Sequence, residues 1–116
     1  MIKLEFKEQA LIDLQRFIRQ YEEAFFELYS DSGLYNEELI IQSYRESAHK
    51  LYVTILQEIH DRLMVGKVLG RKSAPSLNEI LLYVGTRLVI VYYSEDMKRK
   101  VRFVESIAID RKPIIF

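Results

Sequence analysis

Hydrophobic residues recur every three or four positions through the first half of the chain, which is the spacing of one face of an α-helix. Ser30 to Gly33 interrupt the pattern with turn-forming residues. The pattern therefore predicts two antiparallel helices, at about residues 7–29 and 37–63. Their apolar stripes are Ala10, Leu11, Leu14, Phe17, Ile18, Tyr21, Phe25 and Leu28, then Ile40, Tyr44, Ala48, Leu51, Tyr52, Ile55 and Ile59.

Beyond Gly66 the hydrophobic period falls to two, which is typical of strands. Residues 79–84 and 87–93 are rich in β-branched and aromatic side chains, and Gly85-Thr86 between them indicates a tight hairpin. A third strand is predicted from Val101 to about Ile109, and residues 2–6 alternate as an edge strand would. Residues 66–76 are basic and contain glycine and proline, so they are predicted to form a loop.

This order of elements predicts an α+β fold in one domain, residues 1–116. We expect a two-layer sandwich, in which the N-terminal strand and a helical hairpin pack on a mostly antiparallel C-terminal β-meander. At 116 residues and 49% hydrophobic composition, the chain suits a single core.

The composition removes several classes of function. The chain has no cysteine, which excludes a disulfide-stapled domain, a cysteine zinc site and a thiol nucleophile. His49 and His60 stand about 16 Å apart on one helix, too far to share a metal ion, so we expect no metal and no cofactor. No apolar run approaches the ~20 residues of a membrane span, and no secretory signal is present, so we expect a cytoplasmic protein without membrane contact.

The formal net charge of zero conceals two halves of opposite sign. Residues 1–63 hold seven basic and twelve acidic residues, a net charge of −5. Residues 64–116 hold ten basic and five acidic residues, a net charge of +5. Such asymmetry indicates an anionic partner for the C-terminal half.

Three short segments give the chain a family resemblance. They are residues 6–14, in which a strand leads into a helix with Ala10 and the pair Asp13-Leu14; residues 85–92, in which Arg87 opens a β-branched strand; and residues 101–112, which end in a basic cluster. In their order they resemble the RelE/ParE superfamily of toxins from bacterial type II toxin–antitoxin pairs. The match departs at Thr86, where the family often has an aromatic residue, and at Asp110, where it often has a basic one.

The resemblance implies a toxin that acts on the translation machinery and its mRNA, or on DNA gyrase, and that a cognate antitoxin neutralises. If the protein is an enzyme, it implies a ribosome-dependent mRNA endoribonuclease. It would bring Arg87, Arg111 and Lys67 together as catalytic residues, with Arg71, Lys72 and Lys112 binding RNA or another anion. Cleavage also needs an acid and a base, which the sequence supplies poorly, so a non-cleaving member is favoured.

Each of these residues also has a simpler interpretation. Charged residues such as Lys67, Arg71 and Lys72 are common in solvated surface loops. Arg87 could form a structural ion pair as readily as it could bind a ligand. Tyr21, Tyr44 and Tyr52 fall on apolar stripes and are expected in the core. The alternative function is a non-toxic interaction module that docks or dimerises through the helical hairpin, where Phe25, Phe26, Leu28 and Tyr29 make one end apolar on several sides.

Overall fold

A computed structural model describes residues 2–30, 37–65, 68 and 70–109, without the side chains of residues 25, 26, 28–30, 37–41 and 44. In that part of the chain it shows two helices and one five-stranded sheet, which confirms the predicted α+β fold. The elements are β1 (Lys3–Phe6), α1 (Glu8–Ser30), α2 (Glu37–Leu63), β2 (Arg71–Ala74), β3 (Leu77–Val84), β4 (Arg87–Asp96) and β5 (Val101–Ile109).

The strands follow the spatial order β1-β5-β4-β3-β2, so β4 is central. β2 to β5 form an antiparallel meander, while β1 lies parallel to β5, with Lys3 opposite Val101 and Phe6 opposite Val104. The predicted N-terminal edge strand is thereby confirmed. Gly85 takes a φ of 64°, a left-handed conformation that glycine adopts without strain, in the two-residue turn between β3 and β4.

The loop predicted for residues 66–76 is wrong in its second part. Residues 71–74 form β2, an edge strand that pairs with β3 through Arg71 opposite Glu79 and Lys72 opposite Asn78. All four of its residues are exposed. A strand without a buried face shows no alternation of polar and apolar residues, and pairing with β3 is what makes it extended.

The core lies between the helices and one face of the sheet, here called the inner face. α1 contributes Ala10, Leu14 and Phe17, and α2 contributes Ile55, Ile59 and Leu63, at the helical spacing of three or four residues. Alternate residues of the strands meet them: Ile80, Leu82, Val84, Val89, Val91, Tyr93, Val104 and Ile107. The apolar helix faces and the apolar strand face that the sequence predicts therefore pack together in one hydrophobic core.

β1 covers only the first part of the edge of β5, and the start of α1 covers more of it. The backbone N–H of Lys7 donates to the carbonyl of Val104 at 2.9 Å. Further along, the N–H of Ile107 donates to Oδ2 of Asp13 at 2.9 Å. A helix side chain thus provides the acceptor that a strand neighbour would otherwise supply.

Candidate anion-binding groove

An open groove of about 420 Å³ lies where the two helices meet the turn between β3 and β4. α1 supplies Tyr21, and the hairpin supplies Val84, Gly85, Thr86 and Arg87. The remaining wall comes from α2: Ser47, Lys50, Leu51 and Thr54. The groove therefore combines side chains from three elements that are distant in sequence.

The α2 wall follows directly from helix geometry. Its four residues are spaced by three, one and three positions, which places them on one face of the helix. The hydroxyl of Thr54 donates to the backbone carbonyl of Lys50 at 2.8 Å, so its proton is used within the helix. The Lys50 side chain is exposed, and none of the ion pairs found between described residues involves it.

Arg87 is the first residue of β4, on the inner face of the sheet. Its guanidinium carbon lies 5.3 Å from the centroid of the Phe17 ring and 5.7 Å from that of Tyr21. These distances are those of cation–π contacts, which hold the guanidinium in place without using its N–H donors. None of the ion pairs found between described residues involves Arg87.

Two positive charges, on Arg87 and Lys50, and several hydroxyl groups therefore line one open groove. Guanidinium and ammonium groups bind phosphate and carboxylate, the former in a bidentate manner. In the described part of the chain no histidine and no carboxylate lines the groove, and no group of three or more metal-binding residues is found there. His49 and His60 are both exposed on α2. The arrangement suits anion binding better than proton transfer.

The other predicted site residues are placed differently. Arg71 forms an ion pair with Glu79 on the face of the sheet opposite to the helices, whereas Arg87 is on the inner face. Lys72 pairs with Asn78, about 20 Å along β3 from the turn that carries Arg87. The model thus does not gather Arg71 and Lys72 with Arg87. Lys67, Arg111 and Lys112 lie outside the described residues.

Lys50 and Tyr21 are groove residues that sequence reasoning missed in this role. Tyr21 was expected in the core and is instead half-buried at the groove. The signal for Lys50 was its spacing of three and four residues from Ser47 and Thr54, but any exposed lysine on a helix shows a similar environment. Lys50 becomes a groove residue only because the folded chain places the β3–β4 turn beside it.

A second polar cluster lies at the other end of β4. Arg102 is 1% exposed; its Nη1 donates to the carbonyl of Leu63 at 2.8 Å and also to that of Val65, while Nε lies 3.5 Å from Oε2 of Glu95. Burial raises the pKa of the neighbouring Tyr93, Glu95 raises it further, and Arg102 opposes both effects. The buried guanidinium of Arg102 thus joins the end of α2 to the sheet.

Comparison with family models, with curated proteins and with solved structures finds no match to this chain. In the described residues no helix combines the length and the apolar character needed to cross a membrane.

Proposed function

We propose that the protein is a toxin-like component of a bacterial type II toxin–antitoxin pair, and that the Arg87 groove binds an anionic group of its target. The target would be the translation machinery with its mRNA, or DNA gyrase, in the cytoplasm. The observation that carries this proposal is the placement of the Arg87 guanidinium and the Lys50 ammonium on one open groove. A phosphate or a carboxylate of the target is the group that such a pair would bind.

The same groove favours inhibition by binding over cleavage. Attack by a ribose 2′-hydroxyl requires a base for its proton and a donor for the leaving oxygen. Arg87 and Lys50 would stabilise negative charge, but the described groove residues offer only Tyr21 and Lys50 as titratable groups for proton transfer. We therefore place the chain with the non-cleaving members and expect no ribonuclease activity from this groove alone.

The antitoxin would meet the basic C-terminal half. Antitoxins of this kind are acidic segments that fold on their toxin, and an extended acidic segment can add to a sheet edge. β2 is an exposed edge strand that begins with Arg71-Lys72, which suits such an addition. In this proposal the edge strand binds the neutralising partner and the groove binds the target.

Growth arrest is the direct test. The full chain is expressed from an inducible promoter in a bacterial host, alone or with the product of the adjacent gene. We expect arrest that this product relieves, and we expect Arg87→Gln and Lys50→Gln to weaken the arrest while Arg19→Gln, an exposed α1 arginine outside the groove, leaves it unchanged. Normal growth at soluble expression of the native chain contradicts the proposal.

The target is identified by two assays on the purified chain. Loss of protein synthesis in a cell-free translation reaction indicates the ribosome, and loss of supercoiling indicates gyrase. Intact mRNA in an inhibited translation reaction supports binding without cleavage, whereas mRNA cut at defined sites contradicts it.

The alternative function, a non-toxic interaction module, is supported by a surface other than the groove. Its original site, Phe25, Phe26, Leu28 and Tyr29 at the end of α1, lies outside the described side chains. The sheet, however, carries exposed apolar residues on the face that the helices leave bare, including Leu81 and Tyr83.

A further inference from the structure

The helices cover only one face of the sheet. Core residues of α1 and α2 pack against the inner-face residues of β3, β4 and β5. Successive strand residues point to opposite faces, so the intervening residues form an outer face. Its apolar part, the outer patch, consists of Leu81, Tyr83, Leu88, Ile90 and Ala108.

The strand register makes the outer patch continuous. Leu81 of β3 lies opposite Ile90 of β4, and Ile90 lies opposite Ala108 of β5, so the three side chains form one row across the sheet. Tyr83 opposite Leu88 extends the patch towards the hairpin. Leu81 is 46% exposed and Tyr83 is 67% exposed. Contiguous exposed apolar residues of this kind mark interaction surfaces.

The charge around the outer patch argues for an uncharged partner surface. The five patch residues hold no ionisable group except the Tyr83 phenol, and two ion pairs between described residues lie on the same face of the sheet. Lys3 and Glu5 form an ion pair at 3.4 Å on β1, and Arg71 and Glu79 form another between β2 and β3. A polyanion or a strongly charged peptide finds no counter-charge among the patch residues, whereas the same patch on a second copy brings no like charge against them.

The size of the side chains makes the outer patch complementary to itself. β3 carries the large residues Leu81 and Tyr83 on one side of the patch. On the other side β5 carries the small residue Ala108, with Ile90 of β4 between Leu81 and Ala108. A two-fold axis along β4 would place Leu81 of each copy against Ala108 of the other and Ile90 against Ile90, so that a large side chain meets a small one, as close packing of two sheets requires.

We propose that the outer patch is an isologous homodimer interface in which β4 of one copy crosses β4 of the other and β3 packs on β5. Leu81 then meets Ala108 of the second copy. The interface is separate from the Arg87 groove, which opens on the other side of the sheet, so dimerisation and anion binding are independent. The surface involved differs from the helical end first considered for self-association.

Sedimentation equilibrium of the purified full chain, from low to high micromolar concentration, tests the dimer. We expect the native chain to form a dimer. Leu81→Lys and Ala108→Glu should each raise the dimer dissociation constant about a hundredfold, since each buries an unpaired charge. Val53→Lys is the matched control, because Val53 is 47% exposed and lies on α2 away from the sheet. It should leave the dimer unchanged, and circular dichroism should show that all variants stay folded.

The double variant Leu81→Lys with Ala108→Glu decides the geometry. Under the two-fold arrangement each new lysine faces the new glutamate of the other copy, so the dimer should return. Within one chain the two residues are separated by β4, about 10 Å apart, too far for a direct ion pair. A native chain that stays monomeric at every concentration overturns the proposal. A double variant that stays monomeric, or a dimer that Phe26→Glu disrupts and Leu81→Lys does not, overturns it as well.

Discussion

The Nη1 atom of Arg102 donates a hydrogen bond to the carbonyl oxygen of Leu63 at 2.8 Å, which joins β5 to the last residue of α2. The carbonyls at a helix C-terminus have no partner within the helix. A buried guanidinium satisfies one of them here, at Leu63, as well as the carbonyl of Val65 just beyond the helix, and also balances the charge of Glu95.

We therefore expect Arg102→Met to lower the free energy of unfolding by about 3 kcal/mol. The loss leaves buried carbonyls without a donor and removes the counter-charge of Glu95. Urea denaturation measures the change. Arg99→Met, at an exposed position of the turn before β5, is the control and should change stability by less than about 0.5 kcal/mol. An equal effect of both substitutions would show that the buried contacts of Arg102 contribute nothing.

Asp13 offers a comparison within the chain. Asp13 and Asp61 each accept a hydrogen bond at 2.8 Å from a glutamine four residues earlier, but only Asp13 also accepts the backbone N–H of Ile107. Asp13→Ala should cost about 1 to 2 kcal/mol of unfolding free energy, and Asp61→Ala only a few tenths. Asp13→Asn, which keeps an oxygen acceptor, should recover part of the loss. Chemical denaturation of the three variants checks this, and equal losses for the two alanine variants would refute it.

The raised pKa of Tyr93 gives a pH dependence at the alkaline end. Burial, followed by Glu95, favours the neutral phenol in the folded state. The stability from this group is therefore complete below the unfolded pKa of about 10 and is lost as pH rises from there through the folded pKa. Unfolding free energies from pH 8 to about 11 should fall more steeply for the native chain than for Tyr93→Phe.

Tyr83→Phe is the control for this effect, since Tyr83 is 67% exposed on the neighbouring strand. Its profile should follow that of the native chain. If Tyr93→Phe shows the same alkaline slope as Tyr83→Phe, the phenol of Tyr93 is not responsible for the loss.

Arg87 should contribute little to stability. Its contacts with the rings of Phe17 and Tyr21 are worth about 1 kcal/mol at a partly exposed site. Arg87→Gln should therefore shift the thermal midpoint by only a few degrees, so that weakened growth arrest reports binding and not unfolding. A shift of more than about 15 °C would instead assign Arg87 a mainly structural role.

The sequence predicts most of the fold because its two hydrophobic periods are clear. α2 runs from Glu37 to Leu63, close to its predicted bounds, and the hairpin at Gly85-Thr86 lies where it was predicted. β2 could not be predicted, because Arg71 and Lys72 bury neither face and become extended only through their partner β3. Likewise, alternation marks residues 3–6 as a strand but does not specify β5 as the parallel neighbour.

The functional candidates likewise include one residue that the sequence indicates and one that it does not. Arg87 was identified because an arginine that opens an apolar strand needs a specific environment, and the Phe17 and Tyr21 rings provide one. Arg102 was missed because a break in the register between Tyr92 and Tyr93 changes which residues of β5 face inwards. Simple alternation along β5 therefore could not show that Arg102 is buried.

The parallel pairing of β1 with β5 also sets an order of events during synthesis. β1 leaves the ribosome before β5, and both helices and three strands separate Lys3 from its partner Val101 along the chain. Until β5 arrives, Leu14 and Phe17 of α1 lack the Val104 and Ile107 that cover them in the finished protein. A nascent or truncated chain without β5 therefore leaves these apolar residues of α1 open to chaperones and proteases, and the arrival of β5 covers them.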